Sequence, residues 1–174
     1  MRQHEQEEAD TDTPPLDPES TIEWIPALRA FARSLTRNPA EADDLVQDTL
    51  LKAIRHREKF RRGTNLRAWL FTIMRNTFYN ALVKARREAP GEADCVSETP
   101  WTNPTQEWAV RGNEVLEAVN RLPLHYREIF ILVVMLGESY ESSAEICQVA
   151  VGTVKSRVNR ARAMIIEDLG DGEV

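Results

Sequence analysis

The 174-residue chain has little of what marks a membrane, secreted or metal-binding protein. Its longest apolar run, residues 129–136, is far too short to cross a bilayer. The N-terminal stretch MRQHEQEEADTDTPP is acidic and has no apolar core, so a signal peptide is not expected. There are only two cysteines, Cys95 and Cys147, far apart and without metal-ligand spacing. They read as a linker residue and a small core residue of a reduced, cytoplasmic protein. His4, His56 and His125 cluster with no nucleophile or carboxylate pair, and no glycine-rich phosphate loop occurs. An enzyme is therefore not expected, nor a catalytic residue, a cofactor, a metal or a small-molecule substrate. Strand-type alternation is also missing, and nearly every segment after the N-terminal stretch has helical periodicity.

What is present is a soluble balance of 42 % hydrophobic and 29 % charged residues, with a net charge of −6 that hides strong segregation. Residues 1–23 carry Glu5, Glu7, Glu8, Asp10, Asp12, Asp17, Glu19 and Glu23 against Arg2 alone. Residues 52–87 are basic, with Glu58 the one acid, residues 88–117 are acidic again, and residues 148–166 are purely basic. Two basic blocks separated by an acidic one imply two polyanion contacts.

The expected architecture is all-α: an acidic disordered tail over residues 1–20, a helical domain over 21–88, a linker over 89–106 and a second helical domain over 107–170. In the first domain, Trp24, Ile25, Leu28, Phe31 and Leu35 form one stripe, with Pro26 in the first turn. Asn38-Pro39-Ala40-Glu41 reads as the start of a second helix, with Asn as N-cap and Pro at N1. That helix buries Ala42, Leu45, Val46, Thr49 and Ala53. FRRGTN is a loop, and a third helix from Leu66 to about Arg87 places Leu70, Ile73, Thr77 and Ala81 on one side. The prolines and polar residues after it have linker composition. In the second domain one helix covers residues 106–121. Another runs from Pro123 to Gly137, and Ser139 caps a short helix ending at Cys147.

After a turn at Gln148-Val149-Ala150 comes VGTVKSRVNRARA. Val151, Val154, Val158, Ala161 and Ile165 repeat at 3, 4, 3, 4 and define one buried stripe. The other faces present Thr153, Lys155, Ser156, Arg157, Asn159, Arg160 and Arg162. A short helix, a tight turn and a longer helix with this face is the helix-turn-helix plan, whose second helix reads the major groove. Lys and Arg suit guanine acceptors or phosphates, while Asn and Ser both donate and accept.

SYESSAEICQVAVGTVKSRVNRARA closely resembles region 4, the −35-reading domain of extracytoplasmic-function (ECF) sigma factors, and LPLHYREIFIL resembles that domain's preceding helix. AEADDLVQDTLLKAI is similar to their region 2.2, and FRRGTNLRAWLFTIMRNTFYN to their regions 2.3 and 2.4. The C-terminal stretch and the short linker look most like the EcfG-type group that runs the general stress response in alphaproteobacteria. Two departures lie in the scaffold: Gln148 stands where the family often has Gly, and Ser142-Ser143 replaces an acidic pair.

The resemblance implies a sigma factor that binds core RNA polymerase and directs initiation, with the β′ coiled coil, the β flap and promoter DNA as partners. It places Asp43, Asp44, Gln47 and Asp48 against polymerase. It assigns Phe60, Arg61, Arg62, Asn65, Arg75, Asn76, Tyr79 and Lys84 to the −10 element. Thr153, Lys155, Ser156, Arg157, Asn159 and Arg160 then serve the −35 element. An anti-sigma factor, NepR-like in the EcfG-type case, is the expected regulatory partner, and no membrane contact is expected. Trp69, Phe71 and Phe78 are read as packing residues. The rival readings are a sigma-like decoy that titrates an anti-sigma factor and an ordinary dimeric helix-turn-helix regulator.

Overall fold

A computed structural model describes residues 18–61, 63–88 and 107–170, with backbone alone for 18 and 107–113. The chain enters through a 3-10 helix, Pro18–Trp24, that leads into α1, Ile25–Thr36, with Pro26 in its first turn. Residues 18–20 thus belong to the folded body rather than to an acidic tail ending at residue 20. Thr21, 4 % exposed, anchors this stretch. The rest of the expected tail lies outside the described residues, as does the linker with Cys95.

Arg37 ends α1 in the left-handed conformation at φ 58°, and Asn38 starts α2, Pro39–Arg55. The Asn38 Oδ1 accepts from the N–H groups of Ala40 at 2.9 Å and Glu41 at 3.3 Å, so the anticipated cap is formed. A 3-10 turn, Arg57–Lys59, and Gly63 at φ +84° bring the chain to α3, Leu66–Glu88. These three helices close over Leu28, Phe31, Leu35, Ala42, Val46, Ala53, Leu70, Phe71 and Met74. Phe31 and Phe71 meet edge-on at 5.2 Å, the favoured aromatic geometry. The α3 stripe differs from the expected one. Ala68, Leu70, Phe71, Met74 and Thr77 are buried, Ile73 is half-buried, and Ala81 is exposed. The helix outruns its partners among the described residues, and residues 80–88 are exposed throughout, so the periodic stripe continues with no described residue covering it.

The second bundle consists of α4, Glu107–Arg121; α5, Leu124–Phe130; α6, Tyr140–Cys147; and α7, Val151–Gly170. The helix expected to run to Gly137 changes pitch: Ile131–Met135 is a π turn, with the Leu136 N–H bonded to the Ile131 carbonyl at 2.9 Å. Gly137, at φ +71°, then reverses the chain. Ser139 caps α6 by accepting from the Ser142 N–H at 2.9 Å. Of the expected α7 stripe, Val154, Val158, Ala161 and Ile165 are buried, and Val151, in the first turn, is half-buried. Arg121 ties the end of α4 to α7 through Asp168, its Nε 2.9 Å from Oδ2.

The two bundles are docked. Helix α3 packs on α6 and α1 on α5, and their buried residues form one continuous apolar cluster.

Candidate nucleic-acid interface

The buried stripe of α7 forces the polar residues outward. Lys155, Ser156, Asn159 and Arg160 are exposed, and Thr153 and Arg157 are half-buried at the edge of the same face. The Lys155 ammonium lies 5.9 Å from the Tyr140 ring centre, a cation–π contact that steadies it on α6. Gly152, Thr153, Ser156, Arg157 and Arg160 join His125 and Tyr126 of α5 around a polar concavity of about 520 Å³. The sequence reading missed His125 and Tyr126 because α7's periodicity carries no information about what α5 contributes.

The residues expected on the −10 side are split. Asn76, Arg61 and Lys84 are exposed, and Lys84 lies 3.9 Å from Glu88. Phe60 packs on Trp69 at 5.3 Å, and the Asn65 Oδ1 caps α3 by accepting from the Ala68 N–H at 3.1 Å. Arg62 lies outside the described residues. As expected for packing residues, Phe71 is buried and Trp69 and Phe78 sit against the core.

Arg75 and Tyr79 face the other bundle. Both hold Glu128 of α5. The Arg75 Nε and Nη2 donate to its two carboxylate oxygens at 3.0 and 3.2 Å, and the Tyr79 O–H donates at 3.1 Å. The Arg75 guanidinium also stacks 4.5 Å from the Tyr79 ring centre. Burial alone would lower the Arg75 pKa, but the Glu128 hydrogen bond and charge outweigh it and raise the value. Burial first, and the Glu128 charge second, push Tyr79 up to about 12 and Cys147 up to about 12 as well. Cys147 is thus an inert thiol at neutral pH, matching its reading as a core residue.

Further links join the bundles, among them Arg37 donating to the Asn120 carbonyl. Arg67 of α3 pairs with Glu138 at 2.9 Å and donates to the Leu136 carbonyl just beyond the π turn. Arg127, 3 % exposed, donates to carbonyls at the ends of α1 and α4, and burial followed by repulsion from Arg37 lowers its pKa to about 10.

On α2, Asp44, Gln47 and Asp48 are exposed, while Asp43 is half-buried and pairs with Arg29 at 3.3 Å. Leu51, 61 % exposed, and Ile54, 41 % exposed, stand on the same helix with no described residue covering them. The sequence reading passed over them, although exposed apolar residues beside a polar face are a signal of partner contact. Among the described residues no group of His, Cys, Asp or Glu is arranged to hold a metal ion, and no helix is long and apolar enough to cross a membrane.

A helix-turn-helix whose outer face carries exposed cations thus follows a three-helix bundle with a cationic helix of its own. The family description Sigma-70 region 2 matches residues 23–88, and Sigma-70, region 4 matches residues 112–165. The chain is 48 % identical over 141 residues to the ECF RNA polymerase sigma factor EcfG of Rhodopseudomonas palustris (strain TIE-1), covering 81 % of this chain and 78 % of that one. It is 34 % identical to the ECF sigma factor SigM of Mycobacterium tuberculosis (strain H37Rv), covering 82 % and 71 % respectively. Among solved structures, the sigma factor RpoE in complex with the anti-sigma factor NepR, from Bartonella quintana, superimposes with a TM-score of 0.78 at 43 % identity, covering 87 % of this chain and 95 % of that one.

The chain belongs to the ECF sigma factors of the sigma-70 family. It is an initiation factor that binds core RNA polymerase and directs promoter-specific transcription.

Proposed function

We propose that the two bundles divide the promoter between them, and that the genes served are those of a general stress response. The outer face of α7, with Thr153, Lys155, Ser156, Arg157, Asn159 and Arg160, reads the −35 element. The observation that carries this is the placement of four of these side chains in solvent on one helix, with the other two at its edge. Such a face suits the major groove, where a helix fits and base edges are legible. The loop before α3 and α3 itself, through Phe60, Arg61, Arg62, Asn65, Arg75, Asn76, Tyr79 and Lys84, hold the −10 strand. An aromatic set among cations suits stacked, single-stranded bases. The exposed Asp44, Gln47 and Asp48, with Asp43 beside them, anchor polymerase, and Leu51 and Ile54 extend that contact.

The resemblance to EcfG supports the stress-response role. The likeness to a sigma factor solved with NepR supports an anti-sigma partner of that class. The chain works in the cytoplasm and performs no catalysis of its own. A decoy reading draws on one observation, the burial of Arg75 and Tyr79 against Glu128. Run-off transcription with core polymerase and candidate stress promoters separates the two. A factor yields promoter-dependent transcript, and absence of any product would leave the decoy.

A further inference from the structure

The −10 reading assigns Arg75 and Tyr79 to nucleic acid, yet both are committed elsewhere. Their partner, Glu128, lies 53 positions away in sequence from Arg75 and comes from the other bundle. Its side chain is 1 % exposed, and that of Arg75 is 15 % exposed. We propose that Glu128 is an internal competitor for promoter DNA: in the free chain its carboxylate occupies the anion site formed by Arg75 and Tyr79, and that site must be vacated before the −10 strand can enter. The proposal rests on the assignment of Arg75 and Tyr79 to that strand.

The geometry supports mimicry. A guanidinium fork delivering two hydrogen bonds to two oxygens of one anion suits a carboxylate or a phosphodiester alike. The Tyr79 hydroxyl adds a third donor to the same group. Two of the five guanidinium N–H groups and the Tyr79 hydroxyl are engaged by one anion, and burial of the pair, with Arg75 15 % and Glu128 1 % exposed, keeps a second anion from reaching them. Whatever opens the bundles therefore creates DNA-binding capacity, and whatever holds them together removes it.

The energetics make this a latch that can open. Removing one partner of a buried ion pair is normally severe, because the other charge is stranded. Here the partners sit on different bundles, and residues 89–106, with a contour length of roughly 60 Å, allow those bundles to separate. Separation returns both charges to water. The ion pair then sets which arrangement prevails instead of determining whether either bundle folds. Arg67 with Glu138 repeats the pattern, a cation of α3 held by a buried carboxylate of the second bundle.

The test uses the full chain and its Glu128→Gln variant. The probe is a fluorescein-labelled single-stranded DNA of about 20 nucleotides, read by anisotropy. If the closed form holds about nine-tenths of the wild-type population, releasing it tightens binding roughly tenfold. Small-angle scattering should show Glu128→Gln more extended than wild type, and circular dichroism should show unchanged helicity. Adding Arg75→Ala to Glu128→Gln should erase the gain, as a purely structural role for Glu128 would not require. Glu128→Lys, which sets two cations against each other, gives the stronger opening. Tyr79→Phe, which removes a single hydrogen bond, should expand the chain slightly by scattering.

Wild-type compactness in folded Glu128→Gln, or expansion without tighter DNA binding, would overturn the proposal. Run-off transcription by wild type tests the underlying assignment separately. Transcript from wild type with no gain in Glu128→Gln sinks the competitor alone, and no transcript from wild type sinks the sigma reading whatever Glu128 does.

Discussion

The Arg127 Nε hydrogen points at the Ser34 carbonyl oxygen, 2.6 Å from donor to acceptor, and joins α5 of the second bundle to the last turn of α1 in the first. The same guanidinium donates through Nη1 to the Asn120 and Leu122 carbonyls, each at 3.0 Å, at the end of α4. One buried cation thus satisfies carbonyls at two helix C-termini, where unpaired oxygens and the helix dipole both favour positive charge. Arg127→Met keeps much of the volume and takes this donor from the Ser34 and Leu122 carbonyls, while the Asn120 carbonyl keeps a bond from Arg37. We expect a loss of about 3 kcal/mol in urea denaturation, from unpaired buried carbonyls. Arg127→Lys should recover only part of it, since an ammonium cannot reproduce the planar fork.

Gln148 is the departure from family pattern with a clear physical consequence. It sits at φ 55°, ψ 46°, closing α6 by donating its N–H to the Ala144 and Glu145 carbonyls. A side chain in the left-handed region costs about 1 kcal/mol that glycine avoids. Gln148→Gly should stabilise the second bundle by about that amount in thermal unfolding, and Gln148→Val should destabilise it.

Ser143, in the second departure, has a fully buried side chain whose Oγ finds no partner, whereas the neighbouring Ser142 Oγ donates to Glu138 at 2.6 Å. A buried unpaired hydroxyl is a cost that alanine removes without opening a large cavity. Ser143→Ala is expected to raise stability by about 1 kcal/mol, and Ser142→Ala to lower it, in the same unfolding measurement.

How far these features were legible depends on their range. Asn38-Pro39, Ser139 and the α7 stripe are local chemistry, in which a cap or a buried face follows from residues a turn or two apart. The outward face of α7 was legible for the same reason. Ala81 is exposed against expectation because periodicity says which residues align but not whether a partner reaches that far along the helix. The pitch change at Ile131 has no local breaker to announce it. The resemblance assigns Arg75 and Tyr79 to DNA, and nothing in their neighbourhood points to a carboxylate on another helix more than forty residues away. The pairing of Glu128 with α3 depends on how two bundles dock.

The Tyr79 phenol offers a direct optical reading of that docking. Its pKa is raised from 10.0 to about 12, first by burial and then by the Glu128 charge. The fold therefore favours the neutral phenol. This contribution to stability is complete below pH 10 and fades as pH rises through about 12. In an alkaline absorbance titration one of the three tyrosines should ionise late, and Tyr79→Phe should remove that late step. Chain stability should also fall between those pH values more steeply in wild type than in Tyr79→Phe.

Arg160 tests the −35 assignment in a way that separates charge from fold. It is exposed on the α7 face and lines the concavity shared with His125 and Gly152, so truncating it removes no core packing. An arginine that neutralises one phosphate contributes about 0.9 to the slope of log affinity against log salt, through release of a condensed counterion. Arg160→Ala should weaken binding of the polymerase holoenzyme to −35 duplexes at low salt and reduce that slope by about one, with similar losses across different sequences. Asn159, an amide able to hydrogen-bond a base edge, should behave in the opposite way: Asn159→Ala keeps the slope and narrows the gap between preferred and altered −35 sequences. If Arg160→Ala left the slope at the wild-type value, its guanidinium would not touch phosphate, and the α7 face would have to be rotated away from the backbone.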